Sequence, residues 1–446
     1  MKSFSIGGIH APENKLTADK ATVTGALPSQ AVVLLNQHLG APATPVVAKG
    51  ETVKTGQIIA KASGMISACI HAPVSGKVLK IDECVDASGY KKPAIYIVRE
   101  GDEWMEDIDR TDTFVDRFDW TPEQIREKIA AAGITGMGGA GFPTHVKLSP
   151  PPGKKAEVLI VNAVECEPYL TADHRLMLEK GREIVMGLRL LMKGVGVTRG
   201  IIAIENNKKD AIAYMKSLVS ADMGIEVVAL KVKYPQGGEK QLIDAAIGRQ
   251  VPSGALPVDV GAIVQNVATV FAAYEAVQKN KPLIERIITV TGKTLSAPGN
   301  FWMRLGTSMQ EVMDMAGGLP EDAGKIIGGG PMMGKPLVSL TVPMTKGSSG
   351  LLVLPNLEAP RKEIRNCIRC AKCVDACPMG LEPYLFMTLT QHEEWDKLEK
   401  ERIMDCIECG CCTFSCPSTR PLLDYLRIGK QKVGGIIRAR NQKKVG

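Results

Sequence analysis

The chain of 446 residues is 45% hydrophobic and 23% charged, carries a net charge of +7 and holds only 4% aromatics. At that length three or four domains of about 100–150 residues are expected. The mild positive charge suits an acidic partner, a membrane surface or an anionic cofactor but is no nucleic-acid footprint, and the scarcity of aromatics argues against a base-stacking surface.

In chain order, the opening "MKSFSIGGIHAPENK" has neither the apolar core nor the cleavage site of a signal peptide, and no run of 18 apolar residues reads as a membrane span, so a cytoplasmic chain is expected. Residues 1–110 read as all-β, with short apolar runs ("TPVV", "QIIA", "KPAIYIV") between turn residues. The pieces "VAKGETVKTGQII" and "APVSGKV" resemble a lipoyl or biotinyl domain, a small barrel-sandwich hybrid. The hairpin between them, "SGMISACI", lacks the Met-Lys-Met triplet of such domains, so the module is expected to be structural and to serve docking.

Residues 111–285 read as α/β. "TPEQIREKIAAAG" is a helix with a Thr N-cap and a Gly stop, and "AEVLIVNAVECEP", "RGIIAIEN" and "IEVVALKV" are strands alternating with helical segments, the pattern of a mainly parallel sheet. Residues 286–355 return to β character and resemble the small β-grasp module called SLBB, followed by a second glycine-rich loop, "GGGPMMGKP". Residues 356–446 begin with the proline-bounded "LPNLEAPRKE", continue into cysteine-rich and helical sequence, and end in a stretch from Lys430 that holds six Lys/Arg and no acids. That tail is expected to be solubilising and partly disordered; contact with anionic lipid or an acidic partner is the alternative. The expected fold class is thus multidomain α/β, with an N-terminal barrel-sandwich hybrid, a central α/β domain, a β-grasp module and a C-terminal α-helical domain.

Nine of the twelve cysteines lie between Cys367 and Cys416. "CIRCAKCVDACP" places Cys367, Cys370, Cys373 and Cys377, and "CIECGCCTFSCP" places Cys406, Cys409, Cys412 and Cys416; both runs read C-x2-C-x2-C-x3-C-P. Three thiolates at this spacing bind three corners of one cubane, and the fourth, beside proline, serves the other cluster. Two [4Fe-4S] clusters are therefore expected, one on Cys367, Cys370, Cys373 and Cys416, the other on Cys406, Cys409, Cys412 and Cys377. Structural zinc calls for a different spacing, with paired C-x2-C units set further apart. The 28 residues between the runs look helical, which favours an α-helical ferredoxin over a hairpin one. Cys411 falls outside the pattern and reads as a spare thiol.

The stretch "GMGGAGFPTHVK", with Gly136, Gly138, Gly139 and Gly141, satisfies the dinucleotide pattern G-x-G-x-x-G. Its context does not. A Rossmann turn follows a strand and opens a helix, whereas this loop follows the helix "TPEQIREKIAAAG" and runs into Pro143. Four glycines among six residues still cost backbone entropy that a close backbone approach to a ligand would justify.

These residues resemble the flavin and NADH loop of the flavoprotein subunit of respiratory complex I, with Met137 where that pattern has arginine and His145 where it has glycine. Three further segments match in order: "VNAVECEPY" with Asn162, Glu165 and Glu167, "YPQGGEKQL" with Tyr234, Gly238 and Glu239, and "VQNVAT" with Asn266 and Thr269. Val164 and Lys240 replace acids of the family pattern. The resemblance implies that the glycines admit FMN, that Lys147 pairs with a phosphate, that Asn162 and Asn266 bond the ribityl chain or ring, that Glu165 and Glu167 meet ribose or nicotinamide groups, that Tyr234 stacks on a ring, and that Glu239 faces the nicotinamide. A solvated lysine, capping asparagines and a buried core tyrosine are the plainer alternatives, and Cys166 reads as a packed thiol.

The order of modules, from "FSIGGIHAPENK" through the flavoprotein core and "GGGPMMG" to two ferredoxin runs, resembles the RnfC family, the C-type subunits of the Rnf ion-translocating electron transport complex. The resemblance implies an NADH:acceptor oxidoreductase subunit. NAD(H) would be its substrate, FMN and two [4Fe-4S] clusters its cofactors, and the iron–sulfur and membrane subunits of the Rnf complex its partners, with ferredoxin reached indirectly. It also implies a peripheral seat on the cytoplasmic face of the membrane. A soluble cobalamin reductase and a non-catalytic electron relay are the rival readings.

Overall fold

The computed structural model describes residues 1–445; Gly446, the end of the basic tail, lies outside the described residues. Two small antiparallel sheets form the N-terminal body. One runs in the order Gln30–Leu34, Lys91–Arg99, Gly76–Val85, Thr52–Val53, the other in the order Thr44–Pro45, Ile58–Lys61, Ile70–His71. Alternating residues of both, among them Ala31, Val33, Ile59, Ile70, Val78, Ile95 and Ile97, meet in one apolar core, as period-two side-chain alternation dictates.

The central body is a four-stranded parallel sheet in the order Ile225–Leu230, Arg199–Glu205, Val158–Ala163, Ala262–Asn266. Its strands are apolar on both faces because both are covered. Helices Pro122–Ala131, Gly181–Val195 and Val267–Lys279 pack on one side, and helix Glu239–Ile247 with Phe4 on the other. Gly187 is what lets two of these helices close: a Cβ there would lie 2.3 Å from the Val270 carbonyl oxygen.

A six-stranded sheet follows, in the order Val23–Thr24, Gly299–Arg304, Glu285–Thr291, Gly350–Pro355, Ala323–Gly328, Lys335–Pro336. Its first strand comes from the N-terminal region and pairs in parallel with Gly299–Arg304, Val23 opposite Phe301. Sequence that reads as part of the first module is thus built into the third.

The C-terminal domain is helical: Lys372–Asp375, Pro383–Gln391, Trp395–Lys400, Cys411–Ser415 and the long Leu422–Val445 surround Phe386, Leu398, Ile403, Leu422, Leu426 and Val433. The basic tail differs from the partly disordered segment expected from its composition. It continues the last helix, anchored by buried Val433 and by Arg440, whose two guanidinium nitrogens donate to Glu399 at 2.9 and 3.0 Å. Among the described residues no helix is long and apolar enough to cross a membrane.

Candidate flavin and iron–sulfur sites

Thr121 caps helix Pro122–Ala131 through a reciprocal box with Gln124, and Gly133 (φ 63°) turns the chain out of it. The glycine loop follows, closed by the Gly136 N–H donating to Phe142 O at 2.9 Å, before the single-turn helix Thr144–Lys147. One side of the loop rests on the central domain. The Met137 N–H donates to Thr269 Oγ1 at 2.9 Å, Arg286 donates to Met137 O at 3.3 Å, and a Cβ on Gly138 would lie 2.9 Å from the Asn266 side chain. The other side rests on the barrel-sandwich body. The Leu39 N–H donates to Gly141 O at 3.1 Å, and Gly141 (φ 69°) would place a Cβ 3.3 Å from His38 Cα. Between these walls Gly138 and Gly139 are exposed, and a Cβ on Gly139 would meet nothing within 4 Å. Bare backbone facing open space between two walls fits the planar edge and phosphate of a flavin, which needs N–H groups without side-chain obstruction.

Asn162 and Asn266 stand at the carboxyl ends of adjacent parallel strands, where open α/β sheets place their ligands. Asn266 caps helix Val267–Lys279 by accepting from the Ala268 N–H at 2.9 Å, and its amide donates to Asp173 at 2.7 Å. Asn162 donates to Gly237 O at 2.8 Å. Gly238 caps helix Glu239–Ile247 with no side-chain bond, and Lys147 pairs with Glu239 at 2.6 Å while donating to Val264 O at 2.8 Å. Lys147 is therefore an ion-paired lysine rather than a free one.

The acidic loop splits. Glu165, with φ 50°, accepts from the Asp173 and His174 N–H groups at 2.7 and 3.1 Å and so joins the Asn266 network. Glu167 faces the second glycine-rich loop and accepts from the Met332 and Met333 N–H groups at 3.2 and 2.7 Å. Burial raises its carboxyl above the ordinary range, and a Cβ on Gly330 would lie 2.3 Å from its Oε2. Tyr234 is buried, and its hydroxyl donates to Cys409 O at 2.8 Å, beside the cysteine pocket rather than the glycine loop. Sequence reasoning missed Asp173 and Arg286, which complete the base of the glycine loop. Burial and the neighbouring Glu165 push Asp173 well above the usual carboxylate range, and burial holds Arg286 down to about 10. Neither belongs to a matched segment, so neither carried a signal in the sequence.

In the C-terminal domain, Cys377 from the first run and Cys406, Cys409 and Cys412 from the second line one enclosed, apolar space with Pro378 and Leu426. Burial raises the Cys406 and Cys412 thiols to about 12, with the other pocket cysteines adding to the shift. Five cysteines lining one apolar space, Cys411 among them, fit a group that supplies positive charge, as an iron–sulfur core does. Cys411 is also buried, with Sγ 3.9 Å from Tyr234 O. The other four cysteines lie nearer the surface. Cys373 and Cys416 are half-buried neighbours, while Cys367 and Cys370 are exposed. Among the described residues no three or more His, Cys, Asp or Glu side chains converge so as to hold a single metal ion.

Comparison with known proteins adds three family models in the same order: an RnfC barrel-sandwich hybrid domain over residues 3–102, a Nuo51 FMN-binding domain over 129–275 and an SLBB domain over 287–336. The chain is 43% identical to the C-type subunit of the Na(+)-translocating ferredoxin:NAD(+) oxidoreductase complex of Acetobacterium woodii, over 96% of each chain. It is 44% identical to the C-type subunit of the proton-translocating complex of Clostridium ljungdahlii, over 97% of this chain and 94% of that one. With the C-type subunit of the ion-translocating oxidoreductase complex of Rhodobacter capsulatus it shares 40% identity, over 97% and 84%. A crystal structure of an NAD+-reducing [NiFe]-hydrogenase in the H2-reduced state shares the fold with a TM-score of 0.50 at 18% identity, over 70% of this chain and 62% of that one.

Proposed function

The chain belongs to the RnfC family, the C-type subunits of ion-translocating ferredoxin:NAD(+) oxidoreductase complexes, and from that premise we propose that it is the peripheral subunit through which NAD(H) exchanges electrons with the rest of such a complex. Bound FMN would supply hydride exchange and single-electron transfer, and two bound [4Fe-4S] clusters would supply an electron relay. No side chain need act as acid or base; the protein binds and positions.

The glycine loop would hold FMN against Asn266, Thr269 and Asn162, with Glu165 fixed beside them through Asp173. Lys147 and Glu239 would close one edge as an ion pair, and Leu39 and His38 of the barrel-sandwich body the other. Cys406, Cys409, Cys412 and Cys377 would hold one cluster and Cys367, Cys370, Cys373 and Cys416 the second. The observation that carries the reading is the link between the two sites. Glu165 and Glu167 lie two residues apart on one loop; the first bonds the base of the glycine loop, and the second lies beside Tyr234, whose hydroxyl meets Cys409. The buried thiol pocket thus adjoins the flavin side, and Cys367 and Cys370 are exposed, where their cluster would meet a partner. The partners would be the iron–sulfur and membrane subunits of the complex, on the cytoplasmic face, with ion translocation performed by the whole assembly.

Anaerobically reconstituted protein tests this. It should show a flavin absorbance bleached by NADH and about eight irons per chain. Absence of flavin uptake, or a flavin that NADH leaves oxidised, would overturn the dehydrogenase reading.

A further inference from the structure

The segment before the barrel-sandwich sheets lies outside the FMN-binding domain match, yet it runs along both candidate sites. Its Gly8 N–H donates to Ala376 O at 3.0 Å, next to Cys377, and Ile9 exchanges two backbone hydrogen bonds with Tyr234 at 2.8 and 2.9 Å. Further on, Glu13 O accepts from the Tyr169 N–H at 2.8 Å, and the Thr17 hydroxyl meets that of Thr171. Between them the Lys15 ammonium donates to three carbonyls of the acidic loop, Glu165 O at 2.8 Å, Glu167 O at 2.9 Å and Leu170 O at 2.6 Å.

Three donors meeting three acceptors use the full capacity of an ammonium. The loop needs such a tie, because Glu165 and Tyr169 both sit in the left-handed region, at φ 50° and 70°, where side-chain-bearing residues are strained. We propose that Lys15 is a positioning residue for the flavin and nicotinamide site, fixing from outside the flavin domain the loop that carries Glu165 and Glu167. The proposal rests on the flavin reading above.

The surroundings show that this placement is not the easiest one for a lysine. Burial of its amino end and the neighbouring Lys208 hold Lys15 down to about 8, against the pull of Glu165, Glu205 and Cys166. Lys208 donates to Val164 O at 2.8 Å, so a second lysine holds the loop where Lys15's span begins.

The test is Lys15→Met in the full chain, with Lys20→Met as the control on the same segment; Lys20 donates to Pro298 O from an exposed position, away from the acidic loop. Hydrogen exchange is read without flavin. Peptide 164–170 should exchange at least tenfold faster in K15M, with the remaining peptides and K20M within twofold of wild type. In FMN-loaded chains assayed with a dye acceptor, KM for NADH should rise at least tenfold in K15M while kcat stays within threefold. Unchanged exchange at 164–170 overturns the proposal, and so does faster exchange with an unchanged KM, which makes Lys15 a staple and nothing more. Should K15M not fold, Lys15→Gln, which keeps donors for two carbonyls, should show the same split at smaller amplitude. A wild-type chain that takes up no FMN defeats the flavin reading instead, and the exchange comparison still decides whether Lys15 orders the loop.

Discussion

Tyr234→Phe removes one oxygen from the junction between the two sites. The ring is 3% exposed and packs with Ile9, Ala376, Cys409 and Cys411, contacts that phenylalanine keeps. What is lost is the donation to Cys409 O at 2.8 Å. A neutral hydrogen bond contributes about 0.5–1.5 kcal/mol net, and a buried carbonyl left without a partner costs about 1–3 kcal/mol, so about 1–2 kcal/mol is expected to fall on the loop between Cys406 and Cys412. That weakens loop closure by a factor of about 5–30. Loss of visible cluster absorbance under chelator challenge, in protein loaded without air, should accelerate by that factor for one of the two clusters. A rate within twofold of wild type for both would show that the hydroxyl does not hold the loop.

The two exposed glycines give a paired test. Gly139→Ala, with open space before its Cβ, should leave thermal stability within about 0.5 kcal/mol of wild type and lower FMN affinity at least tenfold in a fluorescence titration. Gly138→Ala should do both harms, losing about 1–3 kcal/mol as the methyl meets Asn266. Cys377→Ser, though in the first run, should leave missing about four irons of the cluster proposed for Cys406, Cys409 and Cys412, whereas Cys411→Ser should keep about eight by iron assay. Lys346 is buried, donates to Cys69 O and Gly133 O at 2.9 and 2.7 Å, and is held by burial down to about 7. Above that pH the unfolded chain binds a proton that the folded chain does not, so stability should rise with pH from about 7 toward the ordinary lysine range. Denaturant midpoints at pH 7 and about 9.5 should therefore climb in wild type relative to Lys346→Met; parallel curves would refute the linkage.

What is legible in the sequence is chemistry written in short spacings. The cysteine runs, the helix cap at Thr121 and the four ordered flavoprotein segments each state their meaning within a dozen residues. What is not legible depends on pairings between distant segments. Nothing in "APENKLT" says that its lysine meets the carbonyls of residues 165–170, because the three acceptors are backbone atoms, which carry no sequence signature. Lys346 is hidden for the same reason. Tyr234 shows the converse limit: its segment matches a flavin motif, while its hydroxyl is turned toward Cys409 by packing that spans 175 positions. The tail misleads because six basic residues dominate its composition, whereas its order comes from Val433 and the Glu399–Arg440 contact.

The parallel pairing of Val23 with Phe301 also dictates a timetable. On a ribosome adding about 5–20 residues each second, the partner strand of Val23–Thr24 emerges roughly 15–60 s after it, and Cys377, against which Gly7 packs, later still. The barrel-sandwich sheets can close on their own local pairings in that interval, but the first two dozen residues must wait unpaired. Residues 1–24 are therefore made well before they can be placed, and truncating them should trouble the final steps of assembly more than the first.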